Sequence, residues 1–302
     1  MLYLIDASVY VFRAYYSMPP DMLDREGNAA HALFGFARFL GDLIERAKPR
    51  YLAVAFDESL ETSFRNRIDP TYKANREPAP ADLKLQFGRC REFCEHLGVA
   101  HFGSGEYEAD DIIGTLHARF RREGLPATLV TRDKDLAQLV REGDVYWNYT
   151  ENLRLQHHEI EGHFGVAPER YADYLALTGD AVDNIKGVPG VGPKTAAVLL
   201  KEFASLEELY DNLKEVARLP IRGAAKLPQR LETHKDQAFL ARRLTEIARD
   251  MPLAAERDSL RPRKPDLTSL EAFFDRHNFG PMLRRQSLRL AELAASMERP
   301  AA

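Results

Sequence analysis

An α/β fold with a mainly parallel sheet, followed by a helical C-terminal region, is predicted by three features of this 302-residue sequence. The first half alternates short apolar runs with amphipathic stretches, the βα pattern of a parallel sheet covered by helices. Acids follow those runs directly: Asp6 after LYLI, Asp57 after YLAVAF and Asp133 after ATLVTR. Beyond about residue 165 the strand signal fades into short helices separated by Gly and Pro.

In chain order, Leu2 to Ile5 reads as a buried strand and Ala29 to Ala47 as an amphipathic helix, before a second buried strand at Tyr51 to Phe56. The next segment, ESLETSFRNRIDPTYKANREPAPA, is too long for a compact βα connection and carries Arg65, Arg67, Lys73 and Arg76 with Phe64 and Tyr72 interleaved. Loops of this length serve as lids or binding segments. Helices are expected at Asp82 to Leu97, Ala109 to Arg122 and Asp135 to Val140, with strands at Ala127 to Thr131 and Val145 to Asn148. Further helices are expected at Lys235 to Asp250, Thr268 to His277 and Arg284 to Met297, after which a frayed tail is predicted. Ligands of open α/β sheets bind outside the carboxyl ends of the strands, so the strand-end acids should gather on one edge.

Composition excludes several classes. With 45% hydrophobic and 29% charged residues the chain can bury a core. No run approaches the 18 or so apolar residues of a membrane span, and the MLYLIDAS start lacks a signal-peptide pattern, so a cytoplasmic protein is expected. The two cysteines, Cys90 and Cys94, are four apart on a helical stretch and read as reduced residues on one helix face. Trp147 reads as core, and His157 and His158 as surface histidines without metal-spaced partners. The net charge of −4 argues against a generic nucleic-acid binder until its distribution is considered. Residues 1–183 carry 30 acids against 21 bases, and residues 184–243 carry 7 against 11. The acidic excess and the basic excess occupy different parts of the chain.

The acidic excess is concentrated in short motifs. EYEADD places Glu108, Asp110 and Asp111 at a helix start, TRDKD adds Asp133 and Asp135, and TGDAVDN adds Asp180 and Asp183. With Asp6 and Asp57 these make nine carboxylates, and no His or Cys accompanies them. Oxygen-only sets suit hard cations such as Mg²⁺ and Mn²⁺. Nine acids exceed the needs of one octahedral ion. Two ions roughly 4 Å apart would use them, an arrangement suited to in-line phosphoryl displacement. Removing these nine charges balances residues 1–183.

Residues 187 to 196, GVPGVGPKTA, superficially resemble a P-loop, but Pro193 precedes Lys194 and no buried strand leads in. A helix, a tight glycine turn and a second helix fit better. The backbone N–H groups of Gly190 and Gly192, with Lys194, Thr195 and the basic Lys186 nearby, would then face a phosphate. Such a helix-hairpin-helix grips a nucleic-acid backbone without reading sequence.

DAS, FD at Asp57, SFR…YKANR, EADD, TRDKD and TGDAVDNIKGVPGVGPKTA, in this order, resemble the bacterial 5′–3′ exonuclease and flap endonuclease family. The likeness runs from residue 1 to at least Leu253 and on to about residue 285. It implies a PIN-like domain over residues 1–165 with a helical arch at about 60–82. A helical region at 166–285 would carry the hairpin at about 184–200, and 286–302 would be a tail. By the same resemblance, Asp6, Asp57, Glu108 and Asp110 match a first metal site, and Asp111, Asp133, Asp135, Asp180 and Asp183 a second. Lys73, Arg76 and Arg65 match basic catalytic positions, and Lys186 stands where relatives often carry proline.

The implied activity is sequence-independent cleavage of DNA at 5′ ends, 5′ flaps and branched duplexes, giving 5′-phosphate and 3′-hydroxyl in replication and repair. Two Mg²⁺ or Mn²⁺ ions, a K⁺ ion in the hairpin turn and action on RNA–DNA hybrids belong to the same expectation. Tyr72, Phe64 or Tyr10 would stack on terminal bases. Two alternatives are weighed. A non-catalytic DNA-structure-binding protein should have lost metal ligands, yet all nine are present. A phosphatase of the aspartyl-phosphate type wants a second acid two residues after Asp6, where Ser8 stands.

Overall fold

The computed structural model describes residues 1–58 and 62–297. In chain order its elements are β1 (Leu2–Asp6), α1 (Ala7–Ser17), α2 (His31–Ala47), β2 (Tyr51–Asp57), α3 (Phe64–Ile68), α4 (Ala81–Leu97), β3 (Ala100–Ser104), α5 (Ala109–Arg122), β4 (Ala127–Val130), β5 (Val145–Asn148) and β6 (Leu153–Gln156). There follow α6 (His157–Phe164), α7 (Tyr171–Thr178), β7 (Gly179–Asp180), β8 (Ile185–Lys186), α8 (Pro193–Glu202), α9 (Leu206–Asp211), α10 (Leu213–Val216), α11 (Leu227–Thr233), α12 (Lys235–Thr245), α13 (Leu267–Arg276) and α14 (Pro281–Met297). The chain forms two compact units, Met1–Ser59 with Pro78–Arg132 and Arg249–Ala302, and Leu60–Glu77 with Asp133–Ala248.

The first unit is built on four parallel strands in the order β3-β2-β1-β4. Leu2 pairs with Tyr51 and Ala127, and Ala53 with Ala100, so the strands run in step and finish at one edge. Leu4, Ile5, Val54, Phe56 and Leu129 are almost wholly buried. α5 packs on β1, β2 and β3 through its Ile112, Ile113, Leu116 and Phe120 face. Each such side chain contributes roughly 1.5–3 kcal/mol on burial. Strands of a parallel sheet are covered on both faces and are therefore continuously apolar. β3 (AHFGS) is only half-buried throughout and carries no such run, so sequence alone does not reveal it. α1 likewise escapes notice, because Asp6 both ends β1 and caps the helix, with no linker between them.

Residues 286–297 are not a tail. α14 continues to Met297, and Gln286 donates to Asp42 Oδ1 at 2.9 Å and to Glu45 Oε2 at 3.2 Å. A Cβ on Gly41 would collide with the Gln286 amide, so glycine there leaves room for that side chain. Residues 298–302 lie outside the described residues. Cys90 and Cys94 are both buried in α4, and burial pushes both thiols up.

The second unit contains the antiparallel pair β5–β6, Val145 opposite Gln156, with Trp147 fully buried beneath the Arg154 guanidinium at 4.0 Å. Its helical part centres on α7, which packs against α12 and α8. Three expectations need correction. α12 stops at Thr245 rather than Asp250, because the chain beyond turns extended and serves as an acceptor strip for buried side chains. Gln138 donates to Thr245 O at 3.0 Å and accepts from Ile247 N–H at 3.0 Å. The stretch expected as a helix at Asp135 to Val140 is a 3₁₀ helix over Lys134–Leu139. The segment expected as a helical arch at about 60–82 has, among its described residues, only the five-residue α3 before α4 begins at Ala81. Pro70, Pro78 and Pro80 prevent a longer helix there, and residues 60 and 61 lie outside the described residues. His157, read from the sequence as a surface histidine, holds Glu169 Oε1 at 2.7 Å through Nε2. No helix among the described residues is long and apolar enough to cross a membrane.

Candidate functional site

The predicted carboxylates fall into two sets, one in each unit. In the first unit, Asp6 and Asp57 are the last residues of the adjacent parallel strands β1 and β2. Asp6 is 3% exposed and accepts from Thr131 Oγ1 at 2.9 Å. Asp57 accepts the Ala109 N–H at 2.8 Å, and its own N–H donates to Ser8 Oγ at 3.3 Å. The Ala109 bond brings the end of β2 against the start of α5, where Glu108 is the N-cap. Asp110 and Asp111 lie in the first turn, where the helix dipole favours negative charge. Asp111 is fully buried, and its Oδ2 accepts the Glu108 N–H at 3.0 Å to close a capping box. Thr131 and Ser8 are positioning groups that the sequence reading passed over, although both lie inside quoted motifs, TRD and DAS.

In the second unit, Asp133, Asp135, Asp180 and Asp183 are close enough to act on one another electrostatically. Asp133 is raised above the ordinary carboxylate range by burial and by Asp183 and Asp180, against a bond from the Asp135 N–H and the pull of Lys73. Burial first, then Asp133, Asp180 and Asp183, push Asp135 well above that range. Asp135 Oδ1 is buried without a hydrogen-bond donor. Lys134 Nζ stands 3.9 Å from Asp180 Oδ2. Asp183 is compensated by three groups: Lys73 Nζ lies 3.7 Å from Oδ2, Arg76 pairs with Oδ1, and the Tyr72 hydroxyl donates to Oδ2 at 3.3 Å. Backbone bonds reinforce this junction, from Lys73 N–H to Asp183 O at 2.9 Å and from the Asn184 amide to Thr71 O at 2.7 Å. Lys73 holds a left-handed φ of 55°, uncommon outside glycine, which turns its chain toward Asp183. The YKANR motif and the TGDAVDN motif are thus joined directly.

Three side chains expected to meet the substrate are buried in this structure. Arg65 is 3% exposed, with Nε on Leu244 O at 2.8 Å and Nη2 on Glu246 O at 2.9 Å, so it anchors the end of α12 and is not presented to a substrate. Tyr72 is also 3% exposed, its ring under Lys73 Nζ at 5.0 Å, and Tyr10 is stacked on Phe39 at 3.8 Å. Neither ring is exposed in this structure.

The glycine hairpin folds as a turn between the short β7–β8 pair and α8. Val188, Val191, Ala196 and Leu199 are buried and hold it, while Lys186, Gly190, Gly192 and Lys194 are exposed and Thr195 is half-buried. Gly190 has φ +78°, and Pro193 opens α8 directly after the Gly192 N-cap. At Gly187 a Cβ would come within 2.5 Å of Leu177 O, close against backbone atoms of the α7 end. The Arg230 guanidinium of α11 occupies the space beside Gly190. Arg230 lies about 40 positions further along the chain with no motif around it, so only the fold reveals it.

Known proteins share this organisation. Residues 1–165 match the family described as 5′-3′ exonuclease, N-terminal resolvase-like domain, and residues 166–268 that described as 5′-3′ exonuclease, C-terminal SAM fold. A 5′-3′ exonuclease of Aquifex aeolicus is 34% identical over 270 residues, covering 89% of each chain. DNA polymerase I of Pseudomonas aeruginosa is 40% identical over 274 residues, 90% of this chain and 30% of that one. The chain therefore spans about a third of the length of the DNA polymerase I relatives it matches. Among solved structures, the T5 5′-exonuclease with bound divalent zinc superposes with a TM-score of 0.65 at 20% identity, over 97% of this chain and 99% of that one. The catalytic core of Rad2 with DNA substrate gives 0.62 at 15% identity, over 95% and 90%. At such identities the likeness is one of fold, and it bears out the PIN-like α/β class with a helical C-terminal region. Matched through residue 268 by the two halves of one family, and along most of its length by a relative of similar size, the chain belongs to the 5′-3′ exonuclease family.

Proposed function

We propose that the protein is a structure-specific, sequence-independent 5′-3′ exonuclease and 5′-flap endonuclease that hydrolyses DNA phosphodiesters to 5′-phosphate and 3′-hydroxyl, in replication and repair. The observation that carries this is the carboxylate arrangement. Asp6 and Asp57 end neighbouring parallel strands beside the α5 N-terminus with Glu108 and Asp110, and Asp133, Asp135, Asp180 and Asp183 repel one another in the second unit.

The donor chemistry fits divalent cations. All nine side chains offer oxygen only, and the buried Asp135 Oδ1 has no donor to satisfy it. Among the described residues no three acidic, histidine or cysteine groups already close on a single point. Asp6, Asp57, Glu108 and Asp110 would hold one ion. Asp133, Asp135, Asp180 and Asp183 of the second unit would hold another. When bound, such ions neutralise phosphate charge and activate water. Mg²⁺ is the natural occupant and Mn²⁺ its substitute.

Lys73 and Arg76 stabilise charge on the non-bridging phosphate oxygens. Each is paired with Asp183, so an incoming phosphate competes with that carboxylate for them. The exposed turn at Gly190 and Gly192, with Lys194, Thr195, Lys186 and Arg230, grips a duplex backbone, and a K⁺ ion at the turn would extend the grip. The Phe64 to Arg76 segment handles the single-stranded 5′ end. RNA–DNA hybrids are further substrates of this arrangement, and the bacterial cytoplasm, at the nucleoid, is where it would act.

A gel assay tests the reading: a 5′-flap duplex labelled at each end in turn, with Mg²⁺, Mn²⁺ and Ca²⁺ compared. Cleavage at the junction in Mg²⁺ and Mn²⁺ is expected, with stepwise release at recessed 5′ ends. Binding without cleavage under all three ions would favour the non-catalytic alternative.

A further inference from the structure

The first unit carries a second concave surface, at the N-terminal ends of the same strands whose C-terminal ends carry Asp6 and Asp57. β2 spans seven residues, which puts this surface roughly 20 Å from Asp57. A groove of about 860 Å³ runs here, walled by Ile44, Leu97 and Val99 on one side and Leu290, Leu293 and Met297 of α14 on the other.

Its rim is cationic. The guanidinium carbons of Arg50, Arg257 and Arg261 lie 5.6, 5.1 and 5.2 Å from the centre of one ring, that of the buried Tyr51. Arg261 is paired with Asp258 at 2.8 Å. Among the described residues Arg50, Arg257 and the neighbouring Arg263 have no carboxylate partner. The Met1 amine is held below its usual range by burial and by Arg257 and Arg50, a further sign of uncompensated positive charge.

The groove is built in advance. The strap that carries Arg261 and Arg263 is fixed by the Arg263 N–H on Gly98 O at 2.8 Å and the Asp266 N–H on His96 O at 2.9 Å. Gly98 has φ +76°, and a Cβ there would lie 2.7 Å from Arg263 O, so glycine is what admits the strap. Pro262 and Pro265 stiffen it further. A preformed groove lowers the ordering cost of binding.

We infer that this groove docks a polypeptide segment of a partner protein, one that combines apolar anchor side chains with Asp or Glu. Apolar anchors fill the Ile44–Leu293 walls, and carboxylates pair with the Arg50, Arg257 and Arg263 guanidinium groups, which bind carboxylates in bidentate fashion. A phosphate backbone would satisfy the arginines but leave the apolar walls wet. The size lies within the range of specific ligand sites.

The test is selection of a displayed library of 12-residue peptides against the full chain, followed by titration of the enriched peptides as synthetic probes. Enriched sequences should carry at least two Asp or Glu beside Leu, Phe or Met. Their affinity should fall at least tenfold in the double variant Arg50→Glu/Arg257→Glu and in Arg263→Glu, with melting temperature and flap cleavage unchanged. An enriched set without that pattern, or equal affinity for the reversed variants, would overturn the inference. So would a loss of flap-DNA affinity in those variants, which would assign the patch to nucleic acid. Arg263→Glu removes an exposed charge that does not touch Tyr51, so a folding failure of the double variant does not remove the test.

Discussion

Asp135→Asn should make the metal-free protein more stable and the enzyme inactive. Asp135 is buried, its Oδ1 lacks a donor, and Asp133, Asp180 and Asp183 all oppose its ionisation. Its folded proton affinity is therefore raised. The stabilisation this represents is fully present below the unfolded carboxyl pKa of about 4 and is lost as pH rises through the folded value. Above the folded value the ionised side chain is a net cost, and asparagine removes the charge while keeping the volume. Relief of a buried unsatisfied acceptor is worth about 1–3 kcal/mol. For a chain of this size that corresponds to roughly 2–5 °C in melting temperature. Thermal melts in chelator at pH 8 should show the gain, and melts near pH 4 should show it shrinking toward zero. Saturating Mg²⁺ should stabilise the wild type by about 2.7 kcal/mol at one hundred times its dissociation constant, and Asp135→Asn by distinctly less. Destabilisation of the variant in chelator at pH 8, or an undiminished Mg²⁺ response, would refute the reasoning.

Gly187→Ala should cost about 3 kcal/mol, the upper end of the usual overpacking range, because its Cβ meets backbone of the α7 end that cannot move aside. Gly190→Ala should cost only about 1–2 kcal/mol, since its Cβ meets the flexible end of Arg230 and its penalty is the left-handed φ; urea unfolding of the pair checks the order. Lys73→Ala and Arg76→Ala should each lower single-turnover cleavage by roughly 10²–10³-fold, while affinity for a flap duplex in Ca²⁺ changes little. Arg230→Ala should weaken DNA binding uniformly across sequences and reduce the slope of log affinity against log salt by about 0.9, read from a fluorescence anisotropy titration. His277, whose side chain is fully buried, is depressed to about 4 by burial and by Arg89 and Arg276. Its contribution is present above pH 6.5 and lost as pH falls toward 4, up to about 3 kcal/mol, and His277→Gln should remove that part of the acid sensitivity in urea titrations.

The sequence was most legible where one residue type does one thing. Buried parallel strands are continuous apolar runs, so β1, β2 and β4, and the acids that end β1 and β2, can be read directly. The nine carboxylates stand in compact motifs for the same reason. What stayed hidden depends on long-range partners. The Arg65 guanidinium is caught by carbonyls of Leu244 and Glu246, nearly 180 positions away, and nothing local in SFR distinguishes a buried anchor from a phosphate ligand. Tyr72 looks like a stacking ring until its hydroxyl is seen on Asp183. Arg230 stands in no motif that spacing could flag, Thr131 lies within TRDKD but is overshadowed there by the acids, and α14 is legible as a helix while its docking through Gln286 against Gly41 is not.

The central claim is that carboxylates at the strand ends serve metal-dependent cleavage of DNA. It is tested most directly by single-turnover cleavage of a 5′-flap duplex by Asp110→Ala in Mg²⁺, with binding of the same duplex measured in Ca²⁺. Cleavage should be abolished while binding stays within a few-fold of the wild type. Cleavage at the wild-type rate would contradict the account.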